Sequence, residues 1–303
     1  MKSVQSASLE TTLRHFETCP LCGASKENFR NWFESGYVKV AKCSSCQFRF
    51  LNPYLSPESM IKIYSSRQSM TAANEKLESY YEDFEGSDTE RGFEKSLKIL
   101  DNLGVKGSLL DIGCGRGKYL DLARERGWQT TGLEPGEEHA LSTKENLKIE
   151  VVNVSLEEAR FPPGRFDAVT LWDVIEHVEK PKEVLKKLKT WLKPGGLILL
   201  ATPNHQSLLN FIARTVYILS GGVIKKPLTY FFVPEHVLYF TPASLRRLVR
   251  ESGLVPVSEM KTGTDIDRYS VSPFVKVTAK ILLPLAKFLR AENRMIWICR
   301  KTN

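Results

Sequence analysis

The sequence predicts an α/β protein, a mostly parallel sheet crossed by helices, with a small cysteine-bearing ribbon in front of it. Three observations carry this. Leu109 to Pro135 reads as strand, glycine loop, helix and second strand. Phe166 to Trp172, FDAVTLW, has an unbroken apolar core that fits a strand buried on both faces. Near the N-terminus stand two C-x-x-C pairs, Cys19/Cys22 and Cys43/Cys46.

At 303 residues the chain is long enough for a large domain plus a small one. Its 42% hydrophobic and 26% charged residues are those of a soluble globular protein. The first twenty residues hold no apolar run with a cleavage site, so a reducing, cytoplasmic setting is the expectation. In such a setting C-x-x-C pairs serve metals or redox chemistry more often than structural disulfides. The formal charge of +8 falls to about +6 if four thiolates and one zinc ion are added, too modest an excess to argue for nucleic acid.

In chain order, Cys19, Cys22, Cys43 and Cys46 have the spacing of two knuckles that point four sulfurs at one tetrahedral, structural zinc ion. A redox dithiol is the alternative for either pair alone. Between the pairs, FRNWFESGYVKVAKC alternates as two short strands with Gly36 at the turn. Ser56 or Pro57 opens a helix. Gln68 to Gly92 is polar and aromatic, with Tyr80, Tyr81 and Phe84, and reads equally as a cap over the site or as a connecting arm. A helix over Arg91 to Leu103 follows, stopped by Gly104. The domains expected are a ribbon over 1–52, a helical arm or cap over 53–100, and a catalytic domain over 101–303 with insertions at about 205–233 and 262–293.

The glycine loop reads D-x-G-x-G-x-G: Asp111, Gly113, Gly115 and Gly117. Backbone N–H groups of such a loop approach a ligand closely, and an acid at the end of the next strand, Glu134, can accept ribose hydroxyls. A dinucleotide loop reads G-x-G-x-x-G instead, and Asp111 would repel a pyrophosphate but suit a sulfonium or ammonium group. From about Asp101 to its C-terminus the chain resembles the class I S-adenosylmethionine-dependent methyltransferases. That resemblance implies a Rossmann-like, seven-stranded sheet with the last strand antiparallel. It places the methionine part of S-adenosylmethionine on the glycine loop, the ribose on Glu134, and the adenine beside Ser155 and Leu156, after the third strand.

Beyond Trp172 comes Asp173-Val174-Ile175-Glu176-His177, expected where the fourth strand gives way to a helix, at the edge where open α/β sheets bind ligands. Three readings stand open. His177 is a general base; or Asp173, Glu176 and His177 hold a magnesium ion, the D-x-x-E-H order being similar to the E-x-x-E-H of ubiquinone-pathway O-methyltransferases; or Asp173 caps the helix and His177 is buried and hydrogen-bonded. Asp173 is also counted among the cofactor-side residues. A basic helix, PKEVLKKLKTWLKPGG, closes on Pro194-Gly195-Gly196 before a fifth strand, LILLATPN.

LLNFIARTVYILSGG, 15 residues, is short of the roughly 20 that cross a bilayer and reads as a lid or a substrate-side helix. The P-E-H-V-L-Y-F stretch resembles one found in methyltransferases of small-molecule and polysaccharide pathways, which makes His236 a second base candidate and Tyr239 a pocket residue; a histidine packed on a loop is the other reading of His236. In SPFVKVTAKILLPLAKFLR, Phe274, Val277, Ile281, Leu285 and Phe288 share a helical face while Lys276, Lys280 and Lys287 share another. That helix either docks on an anionic membrane surface or packs over the substrate cleft. The expected activity is methyl transfer to a hydroxyl, carbon or nitrogen of a sugar, lipid-linked or other small metabolite. The alternatives are an RNA methyltransferase and a non-catalytic binding protein.

Overall fold

The computed structural model describes residues 12–65, 86–263 and 273–302, together with Ser69 and Ile266. Tyr80, Tyr81, Phe84 and most of the expected arm lie outside the described residues, as does the side chain of Phe274.

The ribbon comes first. After β1 (Leu13–Arg14), the antiparallel strands β2 (Phe29–Ser35), β3 (Val38–Cys43) and β4 (Arg49–Leu51) form its sheet, with Gly36 in the left-handed conformation at the β2–β3 turn. β5 (Tyr54–Leu55) returns to pair with β1. Helix α1 (Pro57–Tyr64) opens on Ser56, whose hydroxyl accepts from the Ser59 N–H, so the N-cap is Ser56 and Pro57 takes the first helical position.

The large sheet, with its helices, is built on α2 (Asp88–Asn102), β6 (Ser108–Ile112), α3 (Lys118–Glu125), β7 (Gln129–Leu133), α4 (Glu137–Leu147), β8 (Glu150–Val152), β9 (Phe166–Trp172), α5 (Pro181–Trp191) and β10 (Leu192–Pro203). It is completed by α6 (Leu208–Leu219), α7 (Pro242–Glu251), β12 (Leu254–Thr262), α8 (Pro273–Phe288) and β13 (Arg294–Lys301), while β11 (Leu238–Tyr239) returns to the ribbon sheet and pairs antiparallel with β4. Its strand order is β12-β13-β10-β9-β6-β7-β8, with β13 antiparallel between β10 and β12 and the remaining neighbours parallel. Leu109, Val169 and Ile198 are buried completely, as strands covered on both faces require. One face packs on Phe93, Leu97 and Leu100 of α2. The opposite face shares a single core with the ribbon, in which Phe33, Phe50 and Cys43 join Leu110, Val169 and Leu200.

Two expectations change. Residues 173–180 are turn, and α5 begins only at Pro181. Asp173 has φ of 53°, so it caps no helix; it ends a strand at a sharp reversal. The Pro194-Gly195-Gly196 run lies inside β10, which starts at Leu192 and slips register against β9 before Leu197, with Gly195 at φ of 73°. The apolar α6, read as a lid or a substrate-side helix, packs on the ribbon sheet, with Tyr217 edge-on against Phe33 at 5.5 Å between ring centres. Finally, α8 buries Ala279 and Ala286, while Val277, Ile281, Leu285 and Phe288 face outward, Phe288 at 84% exposure. The face of Val277, Ile281, Leu285 and Phe288 is therefore the exposed one, and the small residues Ala279 and Ala286 are those turned inward. No helix among the described residues is long and apolar enough to cross a membrane.

Candidate active site

Steric need explains the glycine loop. Gly113, Gly115 and Gly117 all have positive φ, and a β-carbon at Gly113 would stand 2.7 Å from Val174. The loop is tied down from two sides. Thr143 Oγ1 donates to the Gly115 carbonyl at 2.7 Å, and the Gly115 N–H donates to Glu134 Oε2 at 2.9 Å. Glu134 Oε1 accepts from the Gly136 N–H at 2.8 Å. Burial pushes the Glu134 carboxyl up, and the N–H groups of Gly136 and Gly115 pull it back. Each carboxylate oxygen keeps a further lone pair, so the acid that holds the loop can still accept a ribose hydroxyl.

Asp111, at the end of β6, is buried and accepts from Thr170 Oγ1 at 2.6 Å. Burial lifts its carboxyl to about 7 against the pull of the Thr170 hydroxyl, and Glu134 adds to the rise. An acid so displaced regains its ordinary behaviour when a cationic group settles beside it, which fits the sulfonium of S-adenosylmethionine. Cys114 is buried inside the loop with its thiol pushed well up, an inert packing group rather than a nucleophile.

Ser155 is already engaged: its hydroxyl donates to Glu158 Oε2 at 2.7 Å and accepts from the Glu158 N–H, closing a turn on which Leu156 is buried. A polar contact from that hydroxyl to an adenine would have to compete with Glu158. Asn153, which the sequence reading passed over, donates to the Glu134 and Pro135 carbonyls and fixes the acid's backbone.

The expected trio of Asp173, Glu176 and His177 does not assemble. Arg294 takes Asp173 Oδ2 at 2.5 Å, drawing it toward β13. In its place comes His236: Glu176, His177 and His236 offer donor atoms that all lie within 4.8 Å of one another. Their partners define the chemistry. Glu176 is buried, accepts from Thr202 Oγ1 at 2.9 Å through one oxygen, and leaves Oε1 buried without a hydrogen bond. Burial, then Asp173, pushes its carboxyl well above the usual range. His177 Nδ1 lies 2.6 Å from the Glu235 carbonyl oxygen, so Nδ1 carries the proton and donates, and Nε2 keeps its lone pair. Burial lowers both histidines, His236 strongly and with help from the neighbouring His177, so both are neutral at neutral pH. The rings meet edge to face at 5.0 Å.

Tyr64 joins the two halves. Its ring lies 6.0 Å from that of His177, and its carbonyl packs against Gly136, where a β-carbon would come within 2.8 Å. The end of α1 thus spans from the Glu134–Gly136 turn to His177.

In the ribbon, Cys19 and Cys46 sulfurs lie 3.6 Å apart and those of Cys22 and Cys43 3.7 Å. Four thiolates about 2.3 Å from one tetrahedral ion stand roughly 3.8 Å apart, so the set fits a metal. All four cysteines are unbridged thiols.

Comparison with known proteins agrees with this geometry. A family model described as a methyltransferase domain matches residues 87–259. The ubiquinone biosynthesis O-methyltransferase of Aeromonas salmonicida is 29% identical over 190 residues, covering 55% of this chain and 76% of its own. That of Idiomarina loihiensis is 32% identical over 195 residues, covering 61% and 69%. Among solved structures, geranyl diphosphate methyltransferase in complex with GPP and sinefungin superposes with a TM-score of 0.53 at 14% identity, covering 70% of this chain and 78% of that one, a likeness of fold. With a family model across more than half its length, the chain belongs to the methyltransferase-domain family and is an S-adenosylmethionine-dependent methyltransferase.

Proposed function

We propose that the protein methylates a hydroxyl oxygen of a small metabolite, a sugar or lipid-linked acceptor being favoured. The observation that carries this is the neutral His177, with its Nδ1–H fixed on the Glu235 carbonyl and its Nε2 directed by that bond, in one cluster with Glu176 and His236 at the carboxyl edge of the sheet. The names of the curated relatives, both O-methyltransferases, point the same way.

Bound S-adenosylmethionine supplies the electrophilic methyl group. Gly113, Gly115, Gly117 and Glu134 orient it, and Asp111 balances positive charge at the loop. His177 Nε2 takes the acceptor's hydroxyl proton, and the Glu235 carbonyl steadies the imidazolium so formed. His236 closes the wall opposite, and Thr202 holds Glu176 in place. A divalent cation on Glu176, His177 and His236 is the second reading, favoured by the unpartnered Glu176 Oε1. Two nitrogens and one carboxylate suit a transition ion better than magnesium, which prefers an all-oxygen shell. Zinc is the ion proposed for the four cysteines, in a structural role.

A membrane contact is proposed for the outward face of α8. Ile281, Leu285 and Phe288 are exposed there on a helix that also carries Lys276, Lys280 and Lys287, and an anionic bilayer complements both features.

Calorimetric titration with S-adenosylhomocysteine, with Glu134→Ala as control, tests the donor site. Methyl transfer from labelled donor to hydroxyl-bearing acceptors then tests the acceptor. Binding without transfer to any hydroxyl compound, together with transfer to RNA, would overturn the small-molecule reading.

A further inference from the structure

A second polar cluster lies where the ribbon sheet meets α6, outside the machinery described above. Lys42 on β3 and Arg49 on β4 are directly opposed cross-strand partners, and Arg49 is in turn opposed to Tyr239 on β11. Like charges facing each other across a ladder are destabilising. Arg49 is 8% exposed, and its guanidinium lies 4.4 Å over the Trp32 ring. Arg214 of α6 approaches the same ring at 5.6 Å.

None of these three cations forms an ion pair or a hydrogen bond with a described residue. Burial, then the charge of Arg214, brings Arg49 down to about 10. The cluster's polar atoms are left open: Arg49 Nε, Arg214 Nε, His205 Nδ1, and both amide atoms of Asn210, one helical turn before Arg214 and completely buried. A buried cation without a partner is costly, and Arg49 with the half-buried Arg214 and Lys42 beside it calls for a counter-charge.

We propose that this cluster is the docking site for a diphosphate group on the acceptor, held by Arg49, Arg214 and Lys42 with Asn210 as a neutral donor. The inference rests on the methyltransferase reading and names the substrate class for the same site. Three cations match the two to three negative charges of a substituted diphosphate, and guanidinium forks bind phosphate oxygens in pairs. Position relates the cluster to the chemistry. His236 precedes Tyr239 by three residues, and His205 packs 4.8 Å from the Tyr239 ring. Three residues of extended chain span roughly 10 Å, so a diphosphate on Arg49 would place a hydroxyl about one sugar ring away beside His236 and His177.

Binding of inorganic pyrophosphate to the zinc-loaded full chain, followed by calorimetry at low and at physiological salt, tests this. Tight binding that salt weakens is expected, with a loss of tenfold or more in each of Arg214→Gln and Lys42→Gln. These two half-buried positions keep the test open if Arg49→Met fails to fold. Parallel titration with S-adenosylhomocysteine separates the outcomes. Pyrophosphate binding lost with the homocysteine product still bound in the variants supports the site. Wild-type protein that ignores pyrophosphate while binding the product, or variants that bind pyrophosphate undiminished, overturn the diphosphate assignment alone; failure of the wild type to bind the product strikes the donor site instead. UDP-glucose and farnesyl diphosphate serve as the two source arms. Tenfold tighter binding of one over pyrophosphate identifies a nucleotide-linked or a lipid-linked acceptor.

Discussion

The donor half and the acceptor half of the site are made differently. On the donor side nearly every polar group is engaged by the chain itself: Glu134 accepts two backbone N–H groups, Thr143 holds the Gly115 carbonyl, and Thr170 holds Asp111. On the acceptor side polar atoms are left open, at Glu176 Oε1, His205 Nδ1, Asn210 and Arg49. A donor common to many enzymes can be met by a loop set in advance by local sequence. The acceptor proposed above would be met by side chains brought from the ribbon, α6 and the 233–240 stretch, whose polar atoms are left unmatched by the chain's described residues.

The largest effect that would sharpen this contrast is loss of the ribbon. Chelation or Cys43→Ser removes a metal whose binding is worth on the order of 10 kcal/mol of folding free energy. Because Cys43 lies in the core shared with the sheet, thermal unfolding should fall sharply, and residual protein should lose acceptor turnover before it loses S-adenosylhomocysteine binding. Simultaneous loss of both would break the comparison. His177→Ala should lower kcat by roughly 10²–10⁴ with product binding unchanged. Since the imidazole is lowered below 6.5, wild-type activity should be level above that pH and fall only beneath it; a limb above pH 7 would argue against His177 as the base.

Gly113→Ala should act on the donor side alone. The positive φ and the 2.7 Å approach to Val174 carry strain on the order of 1–3 kcal/mol, read as a ten- to hundredfold weaker product affinity with a near-normal acceptor KM. Acid should act on the other side. Burial, and then the charge of Arg49, takes His205 down to about 3, so it stays neutral in the fold while the unfolded chain protonates near 6.5. Stability contributed by this group is therefore complete above pH 6.5 and is lost as pH falls toward 3, by roughly 1 kcal/mol per unit. His205→Gln should flatten that slope in acid unfolding curves. The smallest effect is expected at α8: Ile281→Asp with Phe288→Asp should change stability by less than about 0.5 kcal/mol each yet abolish flotation with anionic vesicles. Equal flotation by this variant would remove the membrane contact.

How much of this was legible in the sequence follows the same division. Cys19, Cys22, Cys43, Cys46 and the loop from Asp111 to Gly117 announce themselves because their constraints are local in spacing, and Glu134 follows one strand later. The acceptor side is set by contacts across long stretches of chain. Asp173 was grouped with Glu176 and His177 by adjacency, but Arg294, 121 residues away, claims it. His236 was a plausible base on its own, yet only the fold sets it against Glu176. For α8, periodicity revealed two faces without saying which meets the protein; Ala279 and Ala286 decide that by being small. The opposed Lys42 and Arg49 were invisible until the strand register was known.

The pairing of β11 with β4 has a consequence for how the enzyme comes into being. Residues 238–239 complete a sheet that begins more than two hundred positions earlier, and His236 hangs from that seam. An N-terminally trimmed version would keep the donor's cradle and lose the wall that receives the recipient. If the four cysteines hold a structural ion as proposed, its loss would unseat that seam and His236 with it, while the glycine loop lies in another part of the fold.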